Sequence, residues 1–164
     1  MGTSLMHTEL TEPVSIDGRT MVRKRVHVRM RDGVLLATDL YARDEFSFDG
    51  VTAHRIMLER TPYGIRAERF SDGVHDDGAV VTPESGALFF VEHGYIVVRQ
   101  DCRGRGDSEG RFSKYVGEAL DGFDTLAWLT AQPWCDGRVV TAGVSYSAHV
   151  QTAAASVGSP GSSR

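Results

Sequence analysis

The sequence predicts an α/β fold in which an antiparallel hairpin leads into a mostly parallel sheet flanked by helices. Three observations indicate it: an Asp-Gly pair between two strand-like runs, a later alternation of β-branched runs with helical patterns, and a glycine-serine turn between the last such run and an alanine-rich segment. The 164 residues fit one domain. A hydrophobic fraction of 41% and a charged fraction of 24% are typical of globular proteins and exclude whole-chain disorder.

The hairpin is predicted over residues 22–41. Residues 22–30 alternate apolar and polar side chains, apart from Lys24, as a half-buried strand does. Asp32-Gly33 then provides the turn, and residues 34–41 form the return strand. Residues 1–21 are predicted to be a flexible N-terminal arm, because they carry several acidic residues and no continuous apolar run. For the same reason they are neither a signal peptide nor a membrane span.

The rest of the chain is predicted to alternate strands with helices. The predicted elements are, in chain order, a strand over 55–59, a long surface loop over 65–83, a helix over 84–93, a strand over 95–101, a helix over 118–131 and a strand over 139–143. Pro62 and Gly64 end the first of these strands, and Gly94 stands where a glycine commonly follows a helix. Residues 156–164 lose the apolar pattern and are predicted to be a disordered tail.

Charge and cysteine content argue against several classes of partner. The net charge is −4 and no Lys/Arg cluster is long enough to follow a phosphate backbone, so we expect no nucleic-acid partner. Cys102 and Cys135 fit neither a zinc site nor a redox pair, and the six histidines lack the spacing of a metal site. The sequence therefore predicts a cytoplasmic protein with no cofactor, no metal and no membrane partner.

The segment that carries chemistry is Gly143-Val144-Ser145-Tyr146-Ser147-Ala148, between the last predicted strand and the alanine-rich helix. This is the pattern of a nucleophile elbow, in which a strained turn exposes the serine hydroxyl and small neighbours such as Gly143 and Ala148 let strand and helix approach. The Tyr146 amide could then donate to an oxyanion. The alternative is a chance match, which composition should produce in roughly one chain of this length in ten. The strand-to-helix position favours the elbow.

A competing motif is the glycine-rich loop over residues 104–110. It follows a strand but does not open into an apolar-faced helix, so we do not predict a dinucleotide site there. His149 lies four residues after Ser145, and we expect its side chain to point away from the hydroxyl as a structural or surface histidine. Cys102 is predicted to be a small buried apolar residue rather than a reactive thiol.

The chain resembles the N-terminal part of the CocE/NonD hydrolases, a group of α/β-hydrolases that includes X-Pro dipeptidyl-peptidases. The matching stretches are residues 30–41, 60–64, 100–110 and 132–138, the last running into 143–146. The resemblance implies the N-terminal portion of an α/β-hydrolase fold, as a partial domain over residues 22–155. It further implies a serine hydrolase that cleaves ester or peptide bonds of small-molecule substrates.

The resemblance also assigns roles to individual residues. Ser145 would be the acylated nucleophile, Tyr146 would lend its backbone amide to the oxyanion hole, and the Tyr63 phenol would be the second oxyanion donor. The loop over residues 103–110 would be structural. Considered without the resemblance, Tyr63 is an aromatic residue of a surface loop.

Two departures from the family pattern matter. Ala148 stands where the family usually has glycine, which adds a small crowding near the turn. In addition, the family places its triad acid and then its histidine after the serine, and only 19 residues follow Ser145. We therefore expect the triad Asp and His to be absent from this chain, as in a truncated or frame-shifted product.

The alternative function is a catalytically inactive fragment. Such a fragment would act as a binding or assembly module, or be complemented by a separate C-terminal half. The predicted last strand, over residues 139–143, would then be an uncovered sheet edge through which copies could associate.

Overall fold

The computed structural model describes residues 10–66 and 82–158, which form one six-stranded mixed sheet with helices on both faces. The strands are β1 (Leu10–Ile16), β2 (Arg19–Arg29), β3 (Leu35–Ala42), β4 (His54–Thr61), β5 (Tyr95–Asp101) and β6 (Cys135–Thr141). The helices are α1 (Pro83–Glu92), α2 (Glu118–Thr130) and α3 (Tyr146–Ser156), with a short 3-10 turn at Glu45–Phe48.

The sheet has an antiparallel half and a parallel half. Its strand order is β1-β2-β3-β5-β4-β6; β1, β2 and β3 pair antiparallel, and β3 also pairs antiparallel with β5. β4 pairs parallel with both β5 and β6. The carboxyl ends of β4, β5 and β6 therefore lie at one edge of the sheet, where α/β folds place their binding sites. This confirms the predicted antiparallel hairpin that leads into parallel strands. The described sheet as a whole is mixed, with three antiparallel pairings and two parallel ones, so the prediction of a mostly parallel sheet holds only for β4, β5 and β6.

The prediction of a flexible arm over residues 1–21 is wrong for residues 10–21. β1 pairs with β2 in register from Leu10 opposite Arg25 to Ile16 opposite Arg19. The turn between them is Asp17-Gly18, with φ of 51° and 75°, the left-handed values that a tight hairpin requires. The domain thus begins before residue 22, and residues 1–9 lie outside the described part of the chain.

Two apolar layers cover the sheet. On one face, α1 packs through Leu88 and Val91 against Met57 of β4 and Val97 of β5. The other face carries the larger layer, in which residues such as Leu58 and Ile96 pack with Leu129 of α2 and with Trp134. α2 and α3 lie side by side on this second face, so the start of α3 is held between the sheet and α2.

Some boundaries of strands and helices differ from the predicted ones. β6 begins at Cys135 rather than 139 and ends at Thr141, because the Asp136-Gly137 pair lies within the strand at an irregular register instead of forming a turn before it. The predicted loop over 65–83 lies mostly outside the described residues, and Pro83 is the first residue of α1. The disordered-tail prediction is wrong at its first residue, since Ser156 ends α3; residues 159–164 are not described.

Candidate active site

A strained turn joins β6 to α3. Ser145 has φ 56° and ψ −120°, an unfavourable backbone conformation for any residue but glycine, which costs about 1–3 kcal/mol. Gly143, two residues earlier, has φ 156°, and a Cβ there would come within 2.6 Å of Ser147 Cβ. The segment therefore needs a glycine at 143, and it leaves Ser145 exposed. Ala148, the departure from the family pattern, is accommodated in the first turn of α3, where its amide donates to Ser145 O at 3.1 Å.

The phenol of Tyr63 lies beside the serine. Its hydroxyl donates to Ser145 Oγ at 3.3 Å, across 82 residues of sequence. Tyr63 follows the carboxyl end of β4 and Ser145 follows that of β6, and these two strands are parallel neighbours. The sheet topology thus brings the two side chains together.

The backbone at the start of α3 offers a second donor. Ser147 N donates to Val144 O, and the amides of Ala148 and His149 both donate to Ser145 O. In the described part of the chain, the Tyr146 amide has no backbone acceptor. A free N–H at a helix N-terminus stabilises negative charge. The Tyr146 amide, in the residue after Ser145, and the Tyr63 hydroxyl are therefore two hydrogen-bond donors next to Ser145.

The Tyr146 side chain fixes the start of α3 in place. Its hydroxyl accepts from the Tyr115 amide at 2.8 Å and donates to Glu118 Oε1 at 3.2 Å. Burial, the largest cause, raises the pKa of Tyr146 to about 12, so its phenol stays protonated and can donate. Because Glu118 is the first residue of α2, this phenol links the two helices.

The carboxylate of Glu118 is itself held by buried partners. Arg60 of β4 lies 3.3 Å from Glu118, and both side chains are only 3% exposed. Arg60 Nε donates to Gln100 Oε1 at 2.7 Å, and Gln100 Nε2 donates to Thr38 at 3.1 Å. A chain of polar contacts therefore runs from the centre of the sheet to the first residue of α3. Sequence analysis did not identify Glu118 or Arg60, because acidic and basic residues are usually exposed.

Ser145 opens into a cavity of about 540 Å³. Its walls are the loop after β4, the first turns of α3 and the loop that carries Tyr115. His149 lines this cavity, and its ring contacts those of Tyr115 and Tyr146 at centroid distances of 4.7 Å and 5.7 Å. His149 therefore lies in the wall of the same cavity as Ser145, a position that the sequence analysis did not predict. Within the described residues its ring makes no hydrogen bond to Ser145, so it is a wall of the cavity rather than a partner of the hydroxyl.

The glycine-rich loop after β5 turns its amides inward. Gly104 N donates to Glu109 O, Arg105 N to Cys102 O and Ser108 N to Arg105 O, each within 2.9–3.0 Å. The Asp107 amide donates to the buried Asp101 carboxylate. These four N–H groups are therefore not available to a phosphate, and the loop borders the cavity through Arg105.

Three further findings concern other chemistry. Cys102 is fully buried, as predicted, and burial raises the pKa of its thiol to about 12, which keeps it protonated and unreactive. In residues 10–66 and 82–158, no three His, Cys, Asp or Glu side chains are grouped so that they could hold a metal ion. The helices of these same segments are all too short or too polar to cross a membrane.

The mixed sheet, the helices on both faces and the serine at a strand-to-helix turn define an α/β hydrolase fold. Residues 32–163 match the family model described as X-Pro dipeptidyl-peptidase (S15 family), and the chain belongs to that family. It is 44% identical over 131 residues to cocaine esterase from Rhodococcus sp. (strain MB1 Bresler), a match that covers 80% of this chain and 20% of that protein.

Solved structures show the same architecture. An α-amino acid ester hydrolase aligns with a TM-score of 0.62 at 28% identity, covering 94% of this chain and 26% of that one. A CocE/NonD family hydrolase from Staphylococcus aureus aligns with a TM-score of 0.70, over 90% of this chain and 28% of the other; at 22% identity it supports the fold alone. These comparisons confirm the family and fold predicted from the sequence. The chain spans about a fifth of the length of the curated relatives that it matches.

Proposed function

We propose that this chain supplies the nucleophile and the oxyanion donors of a serine hydrolase that cleaves ester or amide bonds through an acyl-enzyme on Ser145. The observation that carries the proposal is the 3.3 Å contact between the Tyr63 hydroxyl and the Oγ of a serine held in a strained turn. Strain of this kind is retained where it positions a reactive group.

The chemistry follows from the donors around Ser145. Ser145 Oγ attacks the substrate carbonyl carbon, and the carbonyl oxygen becomes an oxyanion that accepts hydrogen bonds from the Tyr146 amide and the Tyr63 hydroxyl. The serine proton leaves with the alcohol or amine when the carbon–heteroatom bond breaks, and water then hydrolyses the acyl-serine. A single oxyanion donor is worth about 3 kcal/mol of transition-state stabilisation.

The proton acceptor is the missing part of this scheme. Within the described residues, no histidine ring and no carboxylate hydrogen-bonds Ser145 Oγ. Loss of the triad base costs on the order of a million-fold in turnover. We therefore propose that the isolated 164-residue chain hydrolyses esters negligibly, although its serine is exposed and flanked by donors.

The substrate is proposed to be a small ester or peptide. Two of the similar proteins are named as ester hydrolases, cocaine esterase and an α-amino acid ester hydrolase, and the family model is named for a dipeptidyl-peptidase. Both kinds of bond pass through the same oxyanion, so the geometry at Ser145 serves either one.

Labelling with a fluorophosphonate probe tests the nucleophile. Because no side chain of the described residues accepts the Ser145 proton, labelling should be slow and is followed over a long incubation at alkaline pH, where hydroxide removes that proton. The phosphonyl group should then attach to Ser145, as located by peptide mass spectrometry, and Ser145→Ala should abolish the label. Ser156→Ala, which removes a hydroxyl at the other end of α3, is the matched control and should label normally. Tyr63→Phe should slow labelling at least tenfold, since it removes one oxyanion donor.

Label spread over several serines, or equal in Ser145→Ala, would contradict the proposal. It would favour the alternative of a non-catalytic binding or assembly module. That alternative has its own structural support in β6, which lies at the edge of the sheet with Val140 47% exposed.

A further inference from the structure

The cavity in front of Ser145 carries an uneven distribution of charge. Arg105 and Lys114 line it together with His149, and no carboxylate of the described residues does. The walls otherwise consist of tyrosine and phenylalanine rings and a proline. A substrate bound against Ser145 therefore meets two fixed positive charges on the rim.

These two cations differ from most arginines of the chain in how they are partnered. Arg25, Arg60, Arg99 and Arg103 each form an ion pair with a carboxylate. Neither Arg105 nor Lys114 lies within 4 Å of an acidic side chain in residues 10–66 and 82–158. Their charges are thus not cancelled locally, and they remain available to a bound anion.

Aromatic contacts hold both cations beside the cavity. The Arg105 guanidinium lies 5.0 Å from the centre of the Phe112 ring, and its Nε donates to Pro62 O at 2.7 Å. The Lys114 ammonium lies 4.9 Å from the centre of the Tyr115 ring. That ring in turn stacks on Tyr146 at 5.1 Å. Cation–π contacts of this kind restrict long side chains that would otherwise move freely.

The buried carboxylate of Glu118, which contacts the Tyr146 hydroxyl, does not offset these positive charges. Glu118 accepts the Tyr146 hydroxyl hydrogen bond, but its charge is balanced by Arg60 and its side chain is buried. The start of α3 adds a further positive potential through its free amide. Arg105, Lys114 and the N-terminus of α3 therefore all contribute a positive potential to the cavity.

We propose that this cavity selects substrates that carry a carboxylate or another anionic group next to the scissile bond, held by Arg105 and Lys114. The inference rests on the proposed nucleophilic role of Ser145 and adds the class of substrate to it. Since both cations are exposed, each ion pair with a substrate should contribute only a few-fold in affinity.

Arylboronic acids test this without needing a triad base. A boronic acid forms a bond between Ser145 Oγ and boron, the hydroxyl proton passes to the buffer, and boron becomes a tetrahedral anion that mimics the oxyanion intermediate. The matched ligands are 3-(carboxymethyl)phenylboronic acid and its primary amide, which has the same shape without the charge. Affinity is measured at pH 8 by boron NMR and calorimetry.

The carboxylate ligand should bind about fivefold more tightly than the amide. The double variant Arg105→Gln, Lys114→Gln should remove this preference, and Lys114→Gln alone should reduce it while leaving the Arg105 hydrogen bond to Pro62 intact. Arg55→Gln is the control, because it removes an equal, exposed charge at the start of β4, the end of the strand opposite Ser145. It should keep the full preference.

Each failure points to a different claim. Equal binding of the two ligands, or a preference unchanged in the double variant, would overturn the substrate class and leave the nucleophile in place. No adduct with either ligand, or an adduct that persists in Ser145→Ala, would overturn the proposed function and the substrate class with it.

Discussion

The loop at the end of β5 and the turn at the end of β6 combine the same residue types, glycine and serine, but they use their backbone N–H groups in opposite ways. In residues 103–110 five amides have acceptors in the loop or in the adjacent strands. Those of Gly104 and Ser108 bond within the loop, those of Arg105 and Asp107 bond Cys102 and Asp101 at the end of β5, and that of Glu109 bonds Leu35 O of β3; the Ser108 hydroxyl donates to Asp101 O. In residues 143–146 the Tyr146 amide stays free of backbone acceptors and the Ser145 side chain is exposed. The content of glycine and serine therefore does not distinguish the two strand ends, whereas the pairing of their amides does.

The largest effect is expected from the loop that is internally bonded. Gly104 has φ 65°, and a Cβ there would overlap the Phe112 amide nitrogen and the Arg111 backbone. Gly104→Ala should lower the free energy of unfolding by about 3 kcal/mol, through left-handed backbone strain and overpacking together. The control is Gly18→Ala at φ 75°, where nothing lies within 4 Å and only about 1 kcal/mol of strain is expected. Urea unfolding measures both, and equal losses would show that the loop is not tightly packed.

The strained turn should respond in the opposite direction. Ser145→Gly relieves the unfavourable conformation at φ 56° and should raise the free energy of unfolding by about 1 kcal/mol while abolishing fluorophosphonate labelling. Ser147→Gly, two residues on and inside α3, should instead destabilise by about 1 kcal/mol. Thermal and urea melts of the two variants give the comparison. A destabilised Ser145→Gly protein would mean that the turn stores no strain.

The smallest expected effect is the pH dependence of stability that arises from two carboxyls, Asp101 at the end of β5 and Asp107 in the loop that follows. A hydrogen bond from Arg25 lowers the pKa of Asp107, whereas burial raises the pKa of Asp101. Asp107 therefore stabilises the fold above its unfolded pKa of about 4, and that stabilisation is lost as pH falls through its lower folded pKa. The effect of Asp101 on stability has the opposite pH dependence. Its stabilising contribution is present at low pH and is lost as pH rises through its raised folded pKa.

Carbon-13 NMR titration of the side-chain carboxyls follows both groups separately. Arg25→Gln should raise the pKa of Asp107 toward its ordinary value, and Arg31→Gln should leave it unchanged while raising that of Asp124, the partner of Arg31. If Asp107 titrates identically in all three proteins, its contact with Arg25 does not persist in solution.

Much of the fold was predictable because its signals are local. The Asp32-Gly33 turn and the alternation of strands and helices gave the correct architecture. The Asp-Gly pair at residues 17–18 also forms a hairpin turn, but the sequence before it does not predict a strand. β1 is an edge strand that contains polar residues such as Thr11 and Glu12 and a proline at position 13. Asp136-Gly137 was predicted to be a turn before the last strand, whereas in the structure it lies within β6.

Some residues of the site can be predicted from local sequence, and others cannot because their positions depend on long-range packing. Ser145 could be found from its own segment, because strand, turn and helix are contiguous there. The contact with Tyr63 depends on the adjacency of β4 and β6, so no local pattern contains it, and only the family resemblance pointed to it. The side-chain orientation of His149 and the burial of Glu118 depend on how α2 packs beside α3, which also lies beyond local sequence.

The placement of the tryptophans separates two optical signals. Both tryptophans of the chain, Trp128 and Trp134, lie in the apolar layer beneath α2, with their rings 6.1 Å apart. The cavity at Ser145 is lined instead by Tyr63, Tyr115 and Tyr146. Indole emission consequently reports the unfolding of that layer. Because no tryptophan lines the cavity, an optical assay for a bound ligand should excite the tyrosines or use an added fluorophore.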